Sequence, residues 1–382
     1  MQILSSSLLG AKAFDSDASR YCGVDVYKQI LVGGMPNVTC DSAAVVNSDL
    51  LITKQNHGLI SGTLVEFSGP ITGQYRVVTI TPHAFKCTVN TNLTGVISDP
   101  LDYRVPGLGW SIAASKGNAI AFTDASTRAN KPAFVYQDVD VNQAFAWWVK
   151  GPINDTNLFK YQGRCPSYEQ YPQGFRFTKR VEWIGSQGLE WVAWGDGTVF
   201  FVLRKMNASY AYRLESAGAY VPELPDNEMP YFISSLQATP SQLGYEFPPM
   251  TLGQLPGNVN NTSHIWTYSE NAMGSGYANA VNTSTGGLYD TWDNSASSNS
   301  GQRVRAIDRM PTPEIELGDI YLASKGRLLG RVPGILFINA TSFSSILYHR
   351  KAFSDFDANG RRDYLTLMSM NDGAYVLADI NA

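Results

Sequence analysis

Residues 56–93, NHGLISGTLVEFSGPITGQYRVVTITPHAFKCTVNTNL, decide the fold. The part from His57-Gly58 to Gly69 reads as a turn, a short apolar run and a second turn. Gln74 to Ile80 then alternates, with Tyr75, Val77 and Thr79 on one side and Arg76, Val78 and Ile80 on the other. Phe85, Cys87 and Val89 keep the period of two that marks a half-buried strand. Gly58, Gly62, Gly69 and Gly73 fall between the runs, where tight reversals need positive φ. The stretch predicts a small antiparallel barrel or meander of about four strands. No catalytic residue set lies within it.

Working outward, residues 37–105 form one β module, with a strand expected over Ser42–Thr53 and closure at Pro100 and Pro106-Gly107. Residues 1–36 hold the best helical segment, Ser19–Val32, where Val24, Tyr27, Ile30 and Leu31 fall near helical spacing and Gly33-Gly34 supplies the stop. Residues 106–221 read as a larger β domain, with strands over Ala119–Thr123, Ala133–Val139 and Ala144–Val149. Its clearest hairpin places Trp191–Trp194 and Thr198–Leu203 around Gly195-Asp196-Gly197. Residues 222–302, rich in Pro, Asn, Ser and Thr, predict long surface loops or an arm ordered by neighbours. Residues 303–382 return to β structure, with turns at Gly326, Pro333-Gly334 and Asn371-Asp372-Gly373, and are expected to pack on the larger β domain. The fold class is therefore mainly β: several small barrel or sandwich modules, a short N-terminal helix and long loops.

The totals bound the function. A chain of 382 residues exceeds one ordinary core, so two or three domains are expected. Only 16% of residues are charged, against about 25% in typical soluble domains. Such a surface suits broad subunit contacts or carbohydrate. A net charge of −4 without a basic cluster gives no attraction to nucleic acid. No apolar run reaches the roughly 20 residues needed to span a bilayer. The amino end lacks the basic start and apolar stretch of a signal peptide, so folding in a cytoplasm is expected. Cys22, Cys40, Cys87 and Cys165 have no paired spacing and read as free thiols.

Candidate chemistry is sparse. Phosphate-binding, dinucleotide, zinc-protease and nucleophile-elbow motifs are absent. His57 stands at a strand entry, where its ring is expected to bond turn backbone. Asp355, Asp357 and Asn359 followed by Gly360 copy the first half of a calcium loop, and Asp363 could serve at the ninth position. The twelfth is Thr366 rather than Glu, so a polar turn between strands is the plainer reading. Glu182 and Glu190 flank a tryptophan group (Trp147, Trp148, Trp183, Trp191, Trp194) and are the pair to examine for glycoside hydrolysis. That group reads more readily as core between sheets than as a stacking platform. Trp266, Tyr268, Tyr277, Tyr289 and Trp292 are aromatic beyond the needs of a linker and are candidate glycan or subunit contacts.

The pattern His57-Gly58, Gly62, Val65, Gly69, Gly73, Tyr75 and Val77 resembles a small β module of tailed-bacteriophage virion proteins. The order of the rest is similar to a family of uncharacterised structural proteins of Mu-like and related phages. Gly109-Trp110, the Trp191–Phe200 hairpin and Gly330-Arg331-Val332-Pro333-Gly334 match its later elements. The resemblance implies a non-enzymatic virion protein of the tail, baseplate or neck, assembled in the host cytoplasm from contacts with other virion proteins and copies of itself. It implies no cofactor, no nucleic-acid ligand and no membrane insertion. The alternative is a particle-surface decoration or receptor-binding component that holds a host-surface glycan.

Overall fold

The computed structural model describes residues 1–14, 22–127, 131–140, 143–149, 153–156, 158, 190–205, 212–222, 231–235, 265–268, 276–282, 316–324, 327–339, 348–357, 360–367 and 375–379. The chain is mainly β, with one short helix and four antiparallel sheets among these residues. The deciding stretch does not close into a barrel. It is shared between two sheets that face each other, and the chain crosses from one to the other at Val77.

One sheet runs Val38–Thr39, Asp102–Arg104, Leu64–Ser68, Gly73–Arg76; the other runs Val78–Thr81, Ala84–Thr88, Asp49–Thr53, Ser42–Val46, Gly95–Val96. Val77 donates its N–H to Thr63 and accepts from Gly62, which holds the chain to residues 62–63 while its direction changes. The alternation survives the bend: Val77 is buried, whereas Val78 and Ile80 face outward. Val45, Leu50, Ile52 and Phe85 fill the space between the sheets against Val65, Phe67 and Tyr103. Phe85 meets Tyr103 edge-on at 5.4 Å.

The single strand expected over 42–53 is a hairpin instead. Asn47 and Ser48 both take positive φ, 50° and 66°, between Val46 and its partner Asp49. Two such residues make the turn whose twist suits a two-residue hairpin loop. Apolar residues run through both arms, so alternation alone conceals the break.

The expected helix changes width along its described part. Cys22–Lys28 is α-helical and Gln29–Gly33 continues as one π turn, closed by the Gly34 N–H to the Gln29 carbonyl at 2.7 Å. The carbonyls of Ile30 and Leu31 accept from Leu108 and Trp110, 2.9 Å each. The helix end is thereby sewn to the segment leaving the small module.

A 13-stranded sheet takes in the first residues and most of the second half of the chain. Its edge strand is Gln2–Ser5, paired with Trp191–Gly195, in a region expected to hold only a helix or arm. The order continues through 199–205, 212–219, 231–235, 265–268, 276–282, 316–324, 327–339, 375–379, 360–367 and 348–357, and the thirteenth strand, Val221–Pro222, pairs with 327–339 off this path. Strands 231–235, 265–268 and 276–282 fall inside the stretch expected to be loop or arm. Short aromatic runs such as Tyr231-Phe232-Ile233 carry the strand preference there, and their polar flanks mask it. The sheet therefore crosses the domain limits expected at 221 and 302. Strands 111–116, 119–123, 133–140 and 143–149 form a separate four-stranded meander, close to the three strands expected there.

Tyr27 joins these parts. Its ring lies 4.4 Å from Tyr136, 5.8 Å from Phe200 and 6.2 Å from Phe14. Its hydroxyl donates to Glu215 Oε2 in the buried interior. Replacing Tyr27 by Ala is expected to cost about 3–5 kcal/mol from the cavity. Tyr27→Phe keeps the ring and is expected to cost about 1–3 kcal/mol from the lost bond to a buried carboxylate. Urea unfolding of both variants checks the order.

Candidate functional site

The surface that stands out is the outward face of the five-stranded sheet. A strand in a two-layer sandwich needs apolar residues on one face only. Here Val46, Leu51, Val78, Ile80 and Val96 are apolar and exposed on the other, with Val96 79% and Ile80 54% accessible. Register puts one row in line across all five strands: Val78 pairs Lys86, Lys86 pairs Leu51, Leu51 pairs Ala44 and Ala44 pairs Val96. Ile80 sits at the irregularity between Thr79 and Thr81 on the edge strand.

The charges of this face are neutralised within it. Lys86 Nζ reaches Asp49 at 2.7 Å and Lys54 Nζ reaches Asp41 at 3.0 Å. The Lys86 hydrogen bond is the largest cause holding the Asp49 carboxyl below its ordinary range. For Asp41 the Gln55 N–H leads and Lys54 follows. The middle row thus carries four apolar residues and the ion-paired Lys86, and is bounded by Thr53, Thr88 and Ser42.

His57 lies on the inner side of the same sheet, and its role is structural. Nδ1 accepts from the Leu59 N–H and Nε2 donates to the Thr81 carbonyl, 2.9 Å each. The ring packs edge-on to Phe85 at 5.1 Å. Burial pushes its pKa down, and protonating Nδ1 would set a second donor against Leu59. Gly58 follows because Ser7 passes there: φ is 67°, and a Cβ would collide with the Ser7 carbonyl. The His-Gly pair is the place where the N-terminal segment is fastened to the module.

Cys87 faces the sandwich interior and Cys40 is half-buried; both are free thiols. Burial raises each pKa to about 12, with a further rise from Asp102 at Cys40 and from Asp49 at Cys87. The buried carboxylates are bound into the scaffold. Asp124 accepts from Tyr231 at 2.7 Å and from Ser126, and pairs with Lys131 at 3.3 Å. Asp138 accepts the Val24 N–H at 2.7 Å. These groups tie the meander to the large sheet and to the helix.

The other expected site residues are placed only in part. Asp355 and Asp357 lie on one strand and Asp363 on the next, with Asp357 opposite Gly360 and Ala352 opposite Asp363. The backbone there is a hairpin, and Asn359 lies outside the described residues. Trp266 and Tyr268 share a strand, and Trp266 pairs Tyr277 across to the next. Tyr289 and Trp292, like Glu182 and Trp183, are outside the described residues. Trp148, Trp191 and Trp194 are core: their indole N–H groups reach the carbonyls of Phe232, Lys12 and Gly334. Among the described residues no cluster of three metal-ligating side chains occurs, and no helix is long and apolar enough to cross a membrane.

The sequence reading missed the outward face. Its signal was available in Val45-Val46, Leu50-Leu51-Ile52 and Val77-Val78, where adjacent positions are apolar and both faces must carry them. No family model, curated protein or solved structure matches the chain.

Two outcomes follow from the buried groups. His57 has a lowered pKa, so its contribution to stability is complete above about 6.5 and declines as pH falls below that value. His57→Gln is expected to flatten the acid side of a melting-temperature profile between pH 7 and 5, at some cost in stability. The thiols have raised pKa values, so their share of stability is complete below the ordinary 9.0 and is lost as pH rises toward about 12. In a Cys22→Ser, Cys165→Ser background, maleimide labelling at pH 8 is expected to be much slower in native than in urea-unfolded chain, because burial disfavours both thiolates.

Proposed function

We propose that this chain is a non-enzymatic structural subunit of a tailed-bacteriophage virion, in the tail, baseplate or neck. It works through contacts with other virion proteins and with copies of itself. The observation that carries this reading is the exposed apolar row across the five-stranded sheet, on a module whose inner face is already filled. Such a face lowers free energy only when another surface covers it. The low charge fraction favours broad contacts of this kind, because interface centres are depleted in charge. The buried carboxylates and His57 hold strands together, which leaves the contact face as the feature to explain. The resemblance of the motif order from His57-Gly58 to Gly330–Gly334 to virion proteins of tailed phages supports the choice of particle.

The test is mass spectrometry of gradient-purified particles from a host that carries the gene. Peptides of this chain are expected in the particle fraction, in amounts comparable with other structural proteins. A chain abundant in the lysate and missing from the particles would overturn the proposal.

A further inference from the structure

We infer that His57 and His83 form an acid-sensitive clasp between the small module and the N-terminal segment, closed at neutral pH and loosened when the rings gain protons. The inference concerns the chain by itself and holds or fails independently of the particle reading. Two of the four histidines sit together here, where the turn 54–59 lies against the turn 81–83. Lys54 donates its N–H to the His83 carbonyl at 2.9 Å, and His57 donates its own to the Pro82 carbonyl at 3.3 Å. The rings complete the join. His83 Nδ1 accepts from the Asn56 N–H at 3.1 Å, and His57 Nδ1 accepts from the Leu59 N–H at 2.9 Å. An imidazolium has two donors and no acceptor, so a proton on either Nδ1 sets donor against donor.

The turn so held is the one that grips the N-terminal segment. Asn56 and Gly58 both take positive φ, 51° and 67°, a backbone shape that the bonds across the two turns maintain. Ser7 Oγ donates to the Gly58 carbonyl at 3.0 Å. Leu8 and Leu9 border the same small space as the His57 ring. The ring is 1% exposed, so water does not take over a lost bond there, whereas the bond at His83 lies at the surface. His57 is therefore the main member of the clasp and His83 the lesser one.

The surroundings of the two rings fix the direction of the response. His57 meets Phe85 of its own sheet edge-on at 5.1 Å and shares its space with Tyr103 of the facing sheet. Burial pushes the Tyr103 hydroxyl up, so it stays neutral. The segment 35–38 brings Met35, Pro36 and Val38 to the same space, and the N-terminal segment brings Leu8 and Leu9, none of which carries charge. On the His83 side stand Lys54 and Asp41, paired at 3.0 Å, and Asp41 also accepts from the Gln55 N–H at 2.9 Å. Those bonds hold the Asp41 carboxyl below its ordinary range, so it stays ionised while imidazoles titrate. Desolvation is the largest influence on His57 and lowers its pKa, and a charged His83 adds repulsion. The clasp is therefore complete above about 6.5, and is lost as pH falls below that value.

Hydrogen exchange of the full chain, read by mass spectrometry at about pH 7.5 and about pH 5 and corrected for intrinsic rates, tests the clasp. The amides of 6–12 and 54–59 are expected to lose at least about tenfold in protection at the lower pH. Those of Leu64–Ser68 and Ala119–Thr123 are expected to keep theirs. His57→Gln, which has no titrating ring, is expected to abolish most of the difference in both segments. His83→Gln is expected to reduce it, and decides the matter if His57→Gln folds poorly. Equal protection at both pH values overturns the inference, and so does a loss shared by every strand. A local loss that the folded variants retain in full belongs to other groups and overturns it too.

Discussion

The buried position of Tyr27 is the constraint on which the other parts depend. Its ring touches the N-terminal segment through Phe14, the meander through Tyr136 and the large sheet through Phe200. Its hydroxyl donates to Glu215 in a region where an unbonded carboxylate would be costly. The one turn of π-helix that follows keeps Tyr27 in place. By closing on Gly34, it leaves the Ile30 and Leu31 carbonyls to the Leu108 and Trp110 amides. Position 27 is thus fixed from both sides, by aromatic packing above and by borrowed hydrogen bonds below.

Gln2 plays the matching part for the small module. Its amide accepts from the Leu64 N–H and donates to the Leu64 carbonyl, 2.8 Å each, as an adjacent strand residue would. The same nitrogen reaches the Pro106 carbonyl at 3.1 Å. One side chain thereby bonds Leu64 where the pairing of that strand with Asp102–Arg104 has ended. Because Gln2 also belongs to the strand paired with Trp191–Gly195, the module and the large sheet share a hydrogen-bonded seam. Gly58, pressed against Ser7, fastens the same segment a few residues on.

Much of this was legible in the residues. Strand-like runs placed strands at 119–123, 133–139 and 144–149, within one residue of those observed, and the Asp196 turn was read from its neighbours. Asp196 Oδ1 accepts from the Thr198 N–H and hydroxyl, 2.7 and 2.8 Å, which is why that turn announces itself locally. What stayed hidden was non-local. The strand at Gln2–Ser5 is four residues with no alternation to read, and its partner lies nearly two hundred positions away. The hairpin at Asn47-Ser48 interrupts an apolar run without glycine or proline. The short strands between 231 and 282 take their places from the sheet that precedes them. The candidate site was less legible still, because an outward face is defined only once the register of five strands is known.

The two halves treat their sheet faces differently, and that contrast gives the outward row its meaning. In the hairpin around Asp196, residues 191–195 and 199–203 are all buried, with Trp191 and Phe200 turned to one side and Trp194 and Phe201 to the other. Both faces of those strands are covered from within the chain, so their apolar residues on adjacent positions are accounted for. In the module, Val45, Leu50, Ile52 and Phe85 fill the inner face, while nothing among the described residues covers Val46, Leu51, Val78 and Val96. Threonine or lysine at those four positions would leave the inner packing untouched and keep the strand preference or the solubility of the face. Among the described residues the inner packing gives no reason for apolar side chains there, and covering that face would remove them from water.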